Sequence, residues 1–107
     1  MKEIKTKQEL DEILGANSKN IFLKVGADFC SPCKLLERTL LDIESRYSND
    51  YEFLEINTEE ADEALVSYLA IYNIPTSIIF KGGAEVFRHS GLLNRITLTQ
   101  VLDKFKQ

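Results

Sequence analysis

Glycine and proline are scarce, with 5 and 2 copies, and no run of either marks a linker or a low-complexity tract. With 44% hydrophobic and 28% charged residues, that scarcity excludes a disordered or fibrous chain and leaves an ordinary globular composition. Basic runs are also missing. Acidic and basic residues are interspersed to a net charge of −4, so no nucleic-acid partner is expected. The acidity mainly favours solubility. No apolar stretch approaches membrane-spanning length, and none follows Met1-Lys2-Glu3-Ile4-Lys5-Thr6 as a secretory leader requires. The expectation is one domain over residues 1–107, with no membrane partner, in the cytoplasm.

Cysteine is nearly absent as well, but the two copies present stand three positions apart, at Cys30 and Cys33. In a compartment where small thiols keep cysteines reduced, such a pair points to chemistry more than to a staple. A structural zinc site needs about four ligands. Beyond the two thiols the chain offers one histidine, His89, isolated in a strand, and no metal is expected. A structural disulfide is weak too, because a three-residue loop constrains the unfolded chain little.

The order of elements places the motif. Thr6-Lys7-Gln8-Glu9 has the form of a capping box. Leu10, Ile13 and Leu14 then recur at helical spacing, until Gly15 and Asn17 end the helix. Residues 20–25 are short and apolar-rich and read as a strand. After a brief loop, Cys30-Ser31-Pro32-Cys33 opens a long helix with an apolar stripe at Leu36, Leu40, Ile43 and Tyr47, widened by Leu35 and Leu41. Pro32 fits the first turn, where a missing N–H does no harm. Residues 51–57 read as the next strand. Asn57 or Thr58 is placed to cap a helix running through Ala61, Leu65, Leu69 and Tyr72, with Glu59, Glu60 and Asp62 complementing its dipole. Ile74-Pro75-Thr76 leads into a strand at 77–80, Lys81-Gly82-Gly83-Ala84 turns, and 85–90 returns as a hairpin that Gly91 breaks. Thr97-Leu98-Thr99-Gln100 has capping-box form before a face of Leu98, Val101, Leu102 and Phe105. The order is αβαβαββα, with a short strand near Ile4. That is an α/β chain with parallel pairing and an antiparallel edge at the hairpin.

Only a thiolate attacks a disulfide, and a free cysteine with a pKa of about 8.5 offers little of it at neutral pH. Cys30 at a helix N-terminus meets unpaired N–H groups and the positive end of the dipole, which stabilise the anion. Cys33 sits about one turn further, so the two sulfurs approach bonding distance without breaking the helix. Cys30, the more exposed, is expected to attack, and Cys33, the more shielded, to resolve the mixed disulfide. Strand, Cys-X-X-Cys, then helix in a βαβ setting is a strong signal of this chemistry.

On these residues the sequence resembles the thioredoxin family over nearly its whole length. Phe29-Cys30-Ser31-Pro32-Cys33-Lys34 is similar to that family's Trp-Cys-Gly-Pro-Cys-Lys. Ile74-Pro75-Thr76 is similar to its Ile-Pro-Thr, Phe80-Lys81-Gly82-Gly83 to its hairpin turn, and Gly91 to a glycine of its substrate groove. The resemblance implies a thioredoxin fold, a central mixed β-sheet flanked by helices. It implies a monomer that reduces protein disulfides without a cofactor, recharged by a thioredoxin-reductase-like electron donor. It makes Cys30 the nucleophile, Cys33 the resolving thiol, and Pro75 a cis residue presenting substrate backbone to Cys30. It places Phe29, Pro32, Ile74, Pro75, Gly91 and Leu92 on the apolar rim. Cis X-Pro bonds are about 5–6% of the total in folded proteins, so the cis assignment rests on the resemblance.

The departures from the family pattern carry more information. Where the family has a buried aspartate, six residues before the first cysteine, stands Lys24. On the following strand, where the resemblance places its lysine partner, stands Glu55. Strand alternation puts Ile21, Leu23 and Val25 on one face and Phe22, Lys24 and Gly26 on the other, so Lys24 is expected to be buried and paired. The family's aspartate takes the proton of the resolving thiol. A neutral Lys24 would do likewise, and a charged one would stabilise thiolate on either cysteine. Gly26 stands where a second tryptophan is common, which predicts a more open pocket, and Ser31 replaces a glycine. Arg38 replaces a kinking proline, so the long helix is expected to bend less. Two other functions stay open: a dedicated electron donor to one enzyme, and a non-catalytic adaptor, against which the intact cysteines argue.

Overall fold

A strand buried from end to end must have a layer on each side of it. The computed structural model, which describes residues 1–16 and 19–106, provides those layers. In chain order it contains β1 (Lys2–Glu3), α1 (Lys7–Ala16), β2 (Asn20–Gly26), α2 (Ser31–Ile43), β3 (Tyr51–Asn57), α3 (Glu63–Tyr68), β4 (Thr76–Lys81), β5 (Ala84–Ser90) and α4 (Arg95–Phe105). The strands lie in the order β1-β3-β2-β4-β5. All seven residues of β2, at the centre, are buried. β3 runs parallel to β1 and β2, while β4 is antiparallel to β2 and β5 to β4.

Antiparallel pairing therefore begins one strand earlier than the expected edge. The short helix α3 and the loops on either side of it bring the chain back to the end of the sheet where β3 left it, and β4 runs antiparallel to β2.

Alternation sorts the core into two layers, as expected. Ile21, Leu23 and Val25 pack with Leu54, Ile56 and Ile78 against Leu10 of α1 and Leu65 of α3. Phe22, Phe53 and Ile79 pack on the other face against Leu36, Leu40 and Ile43 of α2 and Leu98 and Leu102 of α4. Each such side chain, fully buried, contributes about 1.5–3 kcal/mol.

Several local expectations hold and several shift. The Thr6–Glu9 capping box is reciprocal: Glu9 N–H donates to Thr6 Oγ1 at 3.1 Å and Thr6 N–H to Glu9 Oε1 at 3.2 Å. α1 continues through Ala16, and Asn17, assigned to its end, lies outside the described residues. The hairpin turn places Gly82 at φ 60° and Gly83 at φ 80°, which the tight turn requires. Leu36, Leu40, Ile43 and Tyr47 form the buried stripe, but Tyr47 belongs to a 3₁₀ turn, Glu44–Tyr47, that follows α2. Leu35 and Leu41 are 49% and 53% exposed and do not widen the stripe.

The third helix is shorter than expected. Asn57 and Thr58 do not cap it. Asn57 instead folds a turn, its Oδ1 accepting from Glu59 N–H at 3.0 Å, and the helix starts after Asp62. Ala70, at φ 55°, reverses the chain and sends Tyr72 into solvent. α4 begins at Arg95, not after Thr97: Asn94 caps it by accepting from Thr97 N–H at 2.9 Å. A short amide side chain at that position satisfies an orphan donor of the first turn.

Candidate functional site

β2 delivers the chain to the motif. Cys30 takes an extended backbone (φ −137°, ψ 102°) and is itself the N-cap of α2. Its Sγ accepts from Cys33 N–H at 3.2 Å and its carbonyl from Lys34 N–H at 3.1 Å. The sulfur thus occupies the place of a capping oxygen, facing the orphan donors of the first turn. Pro32 lies in that turn and is exposed. The two cysteines are joined by a disulfide, with Cα atoms 5.2 Å apart. Cys30 is 9% exposed and Cys33 3%, the order expected of an outer and an inner sulfur.

Strand register brings the distant residues to the same end of the sheet. Thr76, the first residue of β4, pairs with Val25 and Ser90, so Pro75 and Gly91 lie at the end from which the Cys30 loop leaves. The Ile74–Pro75 bond is cis. Pro75 is buried, and its carbonyl accepts from Gly91 N–H at 2.7 Å, tying the end of β5 to the proline loop. Gly91 sits at φ 102°, a conformation that side chains strain. Phe29 is 95% exposed and Ile74 37%, so both stand out from the surface rather than pack beneath it.

Lys24 and Glu55 are brought together across 31 residues of sequence. They are register partners on β2 and β3, with Nζ and Oε1 3.9 Å apart. The Lys24 side chain is 7% exposed and that of Glu55 25%. Both line a cavity of about 140 Å³ that also reaches Cys33, Gly26, Asn57 and Glu37. Gly26 keeps it open: a Cβ there would stand 3.1 Å from Cys33 Sγ. A cavity lies beside Gly26, where the open pocket was expected.

Sequence reading passed over Ser77. Its hydroxyl is fully buried, pairs across the strands from Lys24, and has no hydrogen-bond partner among the described residues. The available signal was a small polar side chain two residues before Ile79, on the face Lys24 shares. Asp28 was also missed. It accepts from Asn57 Nδ2 at 2.9 Å, and its N–H donates to Glu59, so the two loops beside the motif are cross-linked. Among the described residues no group of three or more His, Cys, Asp and Glu could hold a metal, and no helix is long and apolar enough to cross a membrane.

Two sulfurs that close a ring within one helical turn can exchange electrons with another disulfide. Fold and site together define a thiol–disulfide oxidoreductase. The thioredoxin family model matches residues 2–104, and the chain belongs to that family. A thioredoxin of Mycoplasmoides gallisepticum is 30% identical over 102 residues, covering 95% of this chain and 99% of that one. Chloroplastic thioredoxin M2 of Arabidopsis thaliana is 34% identical over 79 residues, covering 74% of this chain and 42% of that longer protein. Among solved structures, a mutant thioredoxin from Halobacterium salinarum superposes with a TM-score of 0.87 at 24% identity, covering 99% of this chain and 90% of that one. At that identity the likeness bears on the fold alone.

Proposed function

We propose that the chain reduces disulfides of other proteins, as a monomer in the reducing cytoplasm, and is recharged by a separate thioredoxin-reductase-like donor. The observation that carries this reading is the cap geometry, with Cys30 Sγ accepting from the Cys33 N–H. Once the pair is reduced, the same donor and the helix dipole favour a thiolate at Cys30. That thiolate attacks a substrate sulfur. A mixed disulfide forms, and the first substrate sulfur leaves as thiolate and takes a proton from water. Cys33 then attacks Cys30 Sγ, the ring closes, and the second substrate sulfur leaves. Pro75 and Gly91 hold the backbone edge on which substrate lies, and Phe29, Pro32 and Ile74 supply apolar contact around it.

The deciding experiment couples the protein to a dithiol and follows reduction of an insulin-like disulfide. Catalytic turnover with several unrelated substrates supports the general role. Turnover with one partner enzyme alone would support a dedicated donor instead, and binding without turnover an adaptor.

Lys24 belongs to the same reading. Buried beside the cavity that reaches Cys33, its charge stabilises thiolate at the motif and shifts the potential toward oxidising, while Glu55 opposes this by pairing with it. Replacing Lys24 by methionine is expected to raise the Cys30 pKa, read as thiolate absorbance in a pH titration, and to lower the reduction potential against glutathione. An unchanged or lower Cys30 pKa in the variant would remove Lys24 from the site.

A further inference from the structure

One row of side chains crosses all five strands in register: Glu3 on β1, Glu55 on β3, Lys24 on β2, Ser77 on β4 and His89 on β5. The next row on that face, away from the disulfide, is Phe53, Phe22, Ile79 and Phe87. The aromatic row is core. The polar row has no such explanation, since burying an ammonium and an unpartnered hydroxyl costs free energy. The Lys24–Glu55 separation of 3.9 Å is an ion pair but exceeds hydrogen-bond length. The cavity of about 140 Å³ between this pair and Cys33 has ample room for ordered water.

We propose that Glu55 accepts the proton of Cys33 through cavity water when the mixed disulfide is resolved, and that Lys24 is its positioning partner. The proposal rests on the reading of Cys33 as the resolving thiol. An ammonium has donors and no lone pair, so Lys24 as the cation of an ion pair takes no proton. Glu55, its partner, is a carboxylate with lone pairs that can take one. Before the step the cavity holds Lys24 cation and Glu55 anion beside a neutral thiol. After it, the same cation faces the Cys33 thiolate and Glu55 is neutral. The enclosed charge stays balanced during the proton transfer, and the return of the Glu55 proton to solvent restores the pair after the ring closes. The Cys33 thiolate then forms its bond to Cys30 Sγ. The bond from Cys30 to substrate breaks, the electron pair departs on the substrate sulfur, and Glu55 returns its proton to solvent.

Other ionisable groups face this space. Asp28 and Glu37 also line the cavity, with Lys34 on α2, but Asp28 is exposed and already accepts from Asn57. Among the described residues, neither Asp28 nor Glu37 pairs with a buried cation that its protonation would release. Glu3 flanks Glu55 on the side away from Lys24, and His89 lies beyond Ser77 at the other end of the row.

The test mixes the reduced protein with an aromatic disulfide whose released thiol is coloured. The first equivalent reports attack by Cys30 and the second reports resolution by Cys33. In Glu55→Gln the second phase is expected to slow by about 100-fold, the lower range for loss of a general base, and to lose the limb of its pH profile due to Glu55. The first phase is not slowed, because Lys24 freed from its pair favours thiolate at Cys30, and Glu55→Asp restores part of the second. If Gln impairs folding, the Glu55→Asp variant decides: its second-phase pH profile must move. A second phase in Glu55→Gln with the wild-type rate and pH profile overturns the proposal. A second phase that persists in Cys33→Ser overturns the resolving assignment itself, a separate failure.

Discussion

Cys30→Ser is expected to abolish disulfide reduction, a loss on the order of a thousandfold or more, whereas Cys33→Ser halts the reaction halfway with substrate attached. The two outcomes differ because the helix start treats the sulfurs differently. Cys30 Sγ receives the N–H of Cys33, and a serine oxygen there caps the helix equally well, so the fold survives while the nucleophile is lost. A hydroxyl in that place lacks the acidity to attack at neutral pH. Cys33 is 3% exposed and lies behind Cys30, so its loss leaves the first attack intact. Without an internal thiol the mixed disulfide has no rapid exit. Mass spectrometry of Cys33→Ser after incubation with a disulfide substrate should show one covalent equivalent on Cys30, discharged by added dithiol. Turnover by Cys30→Ser at the wild-type rate, or an adduct that never accumulates in Cys33→Ser, would place the attacking sulfur elsewhere.

The motif was legible because its chemistry is local. Spacing, a proline in the first turn and a following apolar stripe act within one helix, and sequence contains all of it. The two faces of β2 were legible for the same reason, since alternation needs no partner. Boundaries were less so. Asn57 and Thr58 are competent caps, but Asn57 folds a turn instead, and the helix starts after Asp62, whose side chain makes no capping bond. For α4, Asn94 caps a helix that starts at Arg95, which leaves Thr97 inside the first turn as the donor to Asn94 rather than as the cap. The direction of β4 depends on the path of α3 and its flanking loops back to the end of the sheet where β3 left it, which no single residue type marks. Alternation alone put Lys24 on a buried face; its pairing with Glu55 was legible only through the family resemblance, because that register is set by a strand 31 residues away. Ser77 became notable only when that register put its hydroxyl beside Lys24 with no partner.

The largest stability effect is expected one row from the polar residues. Phe22 is fully buried, lies 5.7 Å from the Phe53 ring between centroids, and packs in the layer beneath α2. Phe22→Ala should cost about 3–5 kcal/mol, because the lost transfer energy adds to that of a void the surrounding helices fill only in part. Against a typical total of about 5–15 kcal/mol, that is a large fraction. Urea unfolding should show it as a lower midpoint with an unchanged slope. The redox consequence should be small while the chain remains folded, since the groups that activate Cys30 are backbone donors of α2's first turn. Lys24→Met should report differently: it removes a buried charge, and Glu55, a quarter exposed, keeps some access to water, so its effect falls on the thiols more than on the fold. Residues 22 and 24 share one face of one strand, yet the first should report in denaturant and the second in thiol titration. A Phe22→Ala protein destabilised by less than about 1 kcal/mol, the Ile-to-Val range for a single methylene, would mean that the aromatic row is not what anchors α2 above the sheet.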